Sequence, residues 1–493
     1  MMRFFFIISW KWNRLLLLGM LLCILSCIIS SCNNNIINSN RISAKKQLVF
    51  LTTNNLQCYY KYDGKEMGFE YELARSFADQ LGVDLVVHVV SNSQELSSLI
   101  KKGIGDIISA SLYPSNDQHP SIVSSKPYIT TDQMLVVNRS SKITTSATLS
   151  NHQLDQFMDR YIDEVVKQNS AAEQTLLQLT QAIPEIKPAL LKHIETKDIP
   201  SFISKGTIDA TALGSNPYRL YLRYLPELST PLTIAAGRPL CWGVKKQDKQ
   251  LLKNINFFFS DMKRTKAIDK INYKYFGYAD PLNRFETLHF ETTLEEELPQ
   301  YEALIKQEAM VNGFDWRLIV AQIYQESHFN SRAKSPKCAQ GIMQFTQQTA
   351  KEMGINNVWD PYCSIPAGVK YLKRLYDTFN DRDEFDRLCL ALAAYNLGKG
   401  HVIDAIKTAK KYGLNPKNWV EVEKAIWLLN NSEVSTDMNY GYCNWQEGIE
   451  YVRSVLNYYD LLRRKHINCS VKESKFLTDI NAELEAKDWI GNS

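Results

Sequence analysis

No two cysteines in this sequence stand at C-x-x-C spacing, and its ten cysteines and eight histidines are widely scattered. Closed zinc sites and dithiol redox centres need thiols and imidazoles at short intervals, so neither a metal nor a cofactor is expected. An excess of one charge is missing too. The chain carries 57 basic and 53 acidic side chains, and Arg3, Lys11 and Arg14 are the only charged residues before Cys32. The remainder is almost balanced, gives no field for polyanions, and offers no nucleic-acid footprint. No internal repeat is visible. What is present is a globular composition, 45% hydrophobic and 22% charged, over 493 residues. That length exceeds one ordinary core and implies two or three domains.

The N-terminus is basic and then apolar. Leu15 to Ile29 contains no charge, a length that suits a signal-peptide core and is short for a membrane span. It ends in Ile29-Ser30-Ser31-Cys32, which resembles the lipobox of bacterial lipoproteins. The resemblance implies a signal peptide over 1–31 and a lipidated Cys32 that holds an exported protein to a membrane. Cys27, after Ile24-Leu25-Ser26, is a weaker alternative, and an uncleaved anchor helix is another. Asn33-Asn34 lacks the aspartate that retains some lipoproteins at the inner membrane, so the periplasmic face of the outer membrane is expected. Residues 32–46, rich in Asn and Ser, read as a tether. Beyond Cys32 seven cysteines remain, Cys58, Cys241, Cys338, Cys363, Cys389, Cys443 and Cys469. An odd number leaves at least one thiol free.

From Gln47 short β-rich runs alternate with helical segments. Leu48–Leu51, Val83–Val90 and Asp106–Ser109 read as strands; the segment from Gly68 to Leu81 and Gln94–Lys101 read as helices. The alternation predicts βαβ units and a largely parallel sheet. Residues 47–278 resemble the type 3 solute-binding domains of bacteria. The resemblance rests on Gly68-Phe69-Glu70-Tyr71-Glu72-Leu73-Ala74, Gly105-Asp106-Ile107, Ser125-Lys126-Pro127-Tyr128, Lys205-Gly206-Thr207-Ile208-Asp209-Ala210 and Tyr273-Lys274-Tyr275-Phe276-Gly277-Tyr278. It implies an α/β, two-lobed, periplasmic-binding-protein-like domain with crossovers near residues 138 and 236. Two clamp positions depart from the amino-acid-binding pattern: Gln118 replaces the arginine that grips a carboxylate, and Gly214 replaces the acid that holds the ammonium. A peptide or muropeptide ligand, or a purely structural or docking role, fits better than capture of a free amino acid.

Residues 279–297 are polar and acidic and read as a linker; from Leu298 the sequence becomes helical, and 466–493 form a polar tail. Asp315 is placed to cap a helix through Gln325. Ile319, Ile323 and Glu326 follow at spacings of four and three, so the carboxyl continues an apolar face. Partial desolvation raises a carboxyl pKa and keeps a proton available near neutrality, as protonation of a glycosidic oxygen requires. A glutamate at a helix end is more often solvated, so its neighbours decide the reading.

Glu326-Ser327-His328-Phe329-Asn330 runs on to Ser335; Gly341-Ile342-Met343-Gln344-Phe345 and Ala393-Ala394-Tyr395-Asn396-x-Gly398 follow. The three blocks, in this order, resemble the soluble lytic transglycosylase family. Continuing through Trp419, Tyr440-Gly441-Tyr442 and Glu447 to Tyr451-Val452, the resemblance implies a mainly α, lysozyme-like domain of goose type over residues 298–465. A solute-binding domain ahead of it points to the membrane-bound lytic murein transglycosylase F family.

The resemblance implies cleavage of the β-1,4 bond between N-acetylmuramic acid and N-acetylglucosamine in peptidoglycan strands, with a 1,6-anhydro product. Glu326 would be the catalytic acid and then base. Ser335, Gln344 and Tyr395 would orient Glu326 and hold the sugar, with Asn396 and Met343 in the cleft and Glu447 at an outer position. Cys338 stands where the family often has glycine, Ile342 replaces leucine, and Cys443-Asn444-Trp445 replaces an expected arginine. Two other readings stay open: a lysozyme-like hydrolase on the same fold, and a wall-binding or sensing lipoprotein without activity.

Overall fold

The computed structural model describes residues 45–90, 93–112, 121–140, 199–206, 210–223, 225–278, 284–429 and 443–468, with Ile42, Tyr440 and the pairs 164–165 and 188–189. The leader, Cys32, most of the tether, Gln118 and the tail beyond residue 468 lie outside these residues.

The front domain is built on β1 (Gln47–Thr53), whose Leu48, Phe50 and Leu51 are fully buried. A strand buried on both faces belongs in the middle of a parallel layer. β1 accordingly lies between β4 (Asp84–Val90) and β5 (Ile107–Leu112), parallel to both. β2 (Tyr60–Tyr62) and β3 (Lys65–Met67) form a separate antiparallel hairpin. α1 (Phe69–Leu81) and α2 (Ser93–Lys101) connect the parallel strands.

Elsewhere the sheet is largely antiparallel. β6 (Ile122–Ser124), β7 (Ile129–Asn138) and the long β11 (Leu228–Lys245) pair antiparallel, as do β7 and β10 (Ala210–Gly214). The short β8 (Glu164–Val165) and β9 (Pro188–Ala189) add to the β10 edge in parallel. The largely parallel sheet expected from the sequence is thus a mixed one. Strand–helix alternation specifies the β4–β1–β5 half, whereas β7 and β11 pair antiparallel between segments far apart in the chain. β11 binds the lobes together: Leu228–Leu240 pairs with β7, while Cys241–Lys245 pairs with β5 and β6. α3 (Ile199–Ser204) and α4 (Ser215–Leu222) flank β10, and between α1 and α5 (Lys249–Arg264) the aromatic rings of Phe77, Tyr128, Trp242, Phe258 and Phe259 close the core. The domain ends in α6 (Ala267–Asn272) and a π-helical turn, Tyr273–Gly277.

The second domain is helical. α7 runs from Arg284 to Asn312, through Pro299. The expected linker over 279–297 is therefore mostly helix, and its first turns bury Phe290 and Leu294. The acidic residues that hide the period lie mostly on the solvent side, and the helix continues through Pro299 at the loss of one backbone hydrogen bond. α8 (Trp316–Ser327), α9 (Gln347–Glu352), α10 (Pro361–Thr378), α11 (Glu384–Leu397), α12 (Lys399–Lys411), α13 (Trp419–Leu429) and α14 (Trp445–Asn468) follow. α11 is the axis: Cys389 to Ala394 are all fully buried, as a helix surrounded by neighbours requires. Among the described residues no helix is long and apolar enough to cross a membrane.

The two domains meet along a polar seam. Arg223 forms a buried ion pair with Asp460, Lys266 pairs with Glu421 at 2.8 Å, and Lys270 with Asp386 at 2.5 Å. Tyr273 Oη donates to Glu423 at 2.5 Å and accepts from Trp419 Nε1 at 3.3 Å. Tyr273 and Tyr278 pack into the hydrophobic core of the helical domain.

Candidate active site

α8 starts where the sequence places it, with the Asp315 carboxylate accepting the Arg317 N–H at 3.0 Å. Its residues Leu318 to Tyr324 are buried, Ile319 and Ile323 completely. Glu326 follows on that face at the last turn, and His328 ends the helix with a left-handed φ of 50°. The Glu326 side chain keeps some solvent access, yet the protein packed around its carboxyl pushes its pKa up to about 8. Desolvation is the cause; the one opposing influence is a hydrogen bond from Tyr451.

Tyr451 comes from α14, 125 residues further on, and its Oη donates to Glu326 Oε1 at 2.5 Å. Gln322, one turn before Glu326 and fully buried, donates through Nε2 to Tyr451 Oη at 3.4 Å. The phenol is thereby held between an amide and the reactive carboxyl. Burial first, and the Glu326 charge second, raise the pKa of both Tyr451 and Tyr395 well above the usual phenol range. Both remain O–H donors wherever Glu326 titrates.

The loop from Ser327 to Phe345 forms the opposite wall. Ser327 Oγ donates to Ile342 O at 2.8 Å, which ties the end of α8 to the loop. Backbone hydrogen bonds of 2.9 Å run in both directions between Gln340 and Phe345. His328, Phe329, Cys338 and Gln344 all have positive φ, a concentration of strained non-glycine backbone next to the acid. Gly341 has φ 82°, and a Cβ there would lie 2.0 Å from Val358 O, so the loop closes only on glycine.

The site residues named from sequence fare differently. Tyr395 projects from α11 and donates to Met343 O at 3.1 Å, fixing the loop beside Glu326. Gln344 spends both amide hydrogens on the carbonyls of Ala333 and Gly341, at 3.0 and 2.8 Å, which leaves its Oε1 as an acceptor. Ser335 makes no hydrogen bond to Glu326 among the described residues; its Oγ accepts the Ala339 N–H at 3.0 Å and shapes a turn. Met343 is not a cleft side chain. It is fully buried and fills the space a Cβ on Gly368 would take, with Cε 2.4 Å from that position; only its carbonyl serves the site. Asn396 is half-buried beside Tyr395 and has no side-chain hydrogen bond among the described residues. Glu447, in the first turn of α14, is held by Lys337 at 2.6 Å and bridges the loop to α14 rather than meeting Glu326. Tyr451 is the residue that sequence reasoning passes over. It lies in a matching block, but nothing in its spacing shows that α14 returns it to Glu326.

In the front domain Gly214 ends β10 and precedes α4. A Cβ there would lie 3.0 Å from Thr131 Oγ1, so an acid at this position requires Thr131 to give way. Among the described residues no group of three His, Cys, Asp or Glu side chains is placed to hold a metal.

Residues 303–418 match the family model of the transglycosylase SLT domain, and residues 48–278 match that of the bacterial extracellular solute-binding proteins, family 3. The protein is thus an enzyme of the lytic transglycosylase class with a binding-protein domain in front. It is similar to proteins named membrane-bound lytic murein transglycosylase F. The one from Desulfosudis oleivorans is 35% identical over 427 residues, 86% of this chain and 92% of the relative. The one from Alcanivorax borkumensis is 33% identical over 424 residues, 86% and 89% of the two chains. An ancestral arginine-binding protein of solved structure is 20% identical, with a TM-score of 0.41, over 47% of this chain and 98% of that one. The chain belongs to the membrane-bound lytic murein transglycosylase F family.

Proposed function

We propose that the protein cleaves peptidoglycan strands at the β-1,4 bond between N-acetylmuramic acid and N-acetylglucosamine, and leaves a 1,6-anhydro muramic end. Protonated Glu326 gives its proton to the glycosidic oxygen as the C1–O bond breaks. The carboxylate so formed takes the proton of the muramic 6-hydroxyl as O6 bonds to C1. No water is consumed, and the carboxyl returns to its starting state.

What supports this reading is an acid with its pKa pushed up to about 8 by burial, influenced by a phenol and, among the described residues, by no second carboxylate. A two-carboxylate glycosidase needs a partner acid to activate water or attack the sugar; here the substrate supplies the nucleophile. Tyr451 occupies Oε1 and leaves Oε2 to face the bond. Tyr395 and the free Oε1 of Gln344 are the groups suited to the sugar and its acetamido side chain.

The protein acts, on this reading, from the periplasmic face of the outer membrane, held by lipid on Cys32. The front domain takes a ligand larger than a free amino acid, a peptide or muropeptide, since position 214 offers no acid for an ammonium. Mass spectrometry of muropeptides after digestion tests the chemistry. Anhydro ends are expected; products heavier by one water would make the enzyme a hydrolase.

A further inference from the structure

α8 is apolar from Leu318 to Ile323 except for one amide, Gln322, and that side chain is as fully buried as its neighbours Ile319 and Ile323. Burying an amide costs free energy unless its atoms find partners, and here only one of the two does. Nε2 lies 3.4 Å from Tyr451 Oη, while Oε1 has no hydrogen-bond partner among the described residues. Methionine or leucine would fill the same place without an unpaired oxygen. Stability therefore does not account for the amide, and its one side-chain hydrogen bond leads to the catalytic acid.

Gln322 stands four residues before Glu326, one turn back on the same side of α8. The Tyr451 hydroxyl, carried in by α14, meets both, with Oη 2.5 Å from Glu326 Oε1. A phenol has one proton to give and lone pairs to accept with. Two protons do not share one line between two atoms. With an amide N–H directed at Oη, the phenol proton therefore goes to Glu326 Oε1. That oxygen is an acceptor whether or not Glu326 is charged, so the acid's own proton is left to Oε2. Oε2 has no hydrogen bond among the described residues, since Tyr395, the other phenol beside the acid, gives its proton to Met343 O.

The reverse pattern would defeat the chemistry. With the amide turned over, Gln322 would take the phenol proton, Tyr451 Oη would accept from Glu326, and the acid's proton would be held on Oε1. That arrangement also buries both amide N–H bonds without partners, and orphaned buried N–H groups are rarer than under-used carbonyls. An apolar side chain at position 322 would enforce neither pattern.

We propose that Gln322 is a positioning residue for cleavage: acting through the Tyr451 hydroxyl, it keeps the Glu326 proton on Oε2, the oxygen that delivers it. The proposal rests on the reading of Glu326 as general acid and adds which carboxyl oxygen carries the proton. Gln322 exchanges no proton itself.

Steady-state kinetics of Gln322→Met and Gln322→Leu in the full chain, on soluble peptidoglycan fragments, test it. Each should lower kcat about five- to tenfold and leave KM unchanged, because the substrate is held as before while the proton is often on the wrong oxygen. The melting temperature should be unchanged or higher, since an unpaired buried oxygen is gone. In a Tyr451→Phe background there is no hydroxyl to direct, so adding Gln322→Met should slow cleavage no further. A kcat within about twofold of wild type in both variants overturns the proposal. So does a slowing of the same size with and without the Tyr451 hydroxyl, or a raised KM in place of a lowered kcat, either of which marks packing rather than proton placement. Glu326→Gln tests the underlying reading separately. If that variant stays active, the general-acid reading falls and the proposal with it; if it is inactive while Gln322→Met turns over normally, the proposal falls alone.

Discussion

Glu326 sits where a helix face that is otherwise aliphatic reaches the end of α8, and its environment sets a pH dependence with a definite sign. Cleavage needs the protonated carboxyl, so the rate should hold at neutral pH and fall about tenfold per unit above pH 8. The Tyr451 hydrogen bond favours the carboxylate, so Tyr451→Phe should move this limb to higher pH while slowing cleavage, by roughly tenfold or more through lost positioning. A pH–rate profile of both proteins checks the order of the two limbs. Glu326→Gln should abolish turnover, by roughly a thousandfold or more. Stability falls with rising pH as well, over a lower window. Between pH 4.5 and about 8 the folded chain holds a proton that the unfolded chain has lost, so this group makes the protein less stable as pH rises. Glu326→Gln should accordingly be the more stable protein at pH 9, by up to about 5 kcal/mol, and less in proportion to the solvent access of the carboxyl. Denaturant unfolding at pH 5 and pH 9 measures the difference. The acid itself was legible from its spacing to Ile319 and Ile323 and from the blocks around it. Tyr451 was not, because its contact depends on how α14 crosses α8. Ser335 and Met343 stand in the sequence blocks as residues expected at the sugar and in the cleft, but sequence does not say which of a residue's atoms face the site.

The loop behind Glu326 shows how an element carries strain. Cys338 holds φ 64°, in the left-handed region that favours glycine. Cys338→Gly should stabilise the folded loop by about 0.5–1 kcal/mol if the relief of strain exceeds the added freedom of the unfolded chain. Gly341→Ala should do the opposite, since its methyl would collide with the Val358 carbonyl; a loss of several kcal/mol, about 2–4, is expected together with loss of activity. Thermal unfolding of the two variants separates them. Of the elements whose limits the sequence suggests, β1, β4, α1, α2 and α8 fall within a residue or two of expectation. The errors share one cause. The acidic stretch before Leu298 hides a helix whose apolar side is narrow, and β7 and β11 pair at long range, where local alternation carries no information.

At the scale of the molecule the seam is the feature that sequence did not announce. Arg223 and Asp460 are buried together, so Arg223→Met should remove the buried ion pair and cost about 3 kcal/mol. Adding Asp460→Leu should recover most of that loss, and a double-mutant cycle of unfolding free energies would show it. The seam also bears on any attempt to prepare the domains apart. The matched segments end at residue 278 and begin at residue 303, which invites a cut between them. Yet Tyr273 and Tyr278, on the front side of that cut, fill the interior of the helical half. A fragment starting at Arg284 would leave a hole where two rings had been, and would bring Asp386 and Glu421 to the surface without the lysines that balanced them. The two modules would have to be prised apart through a shared interior, so the smallest portable form of this enzyme is longer than its catalytic module.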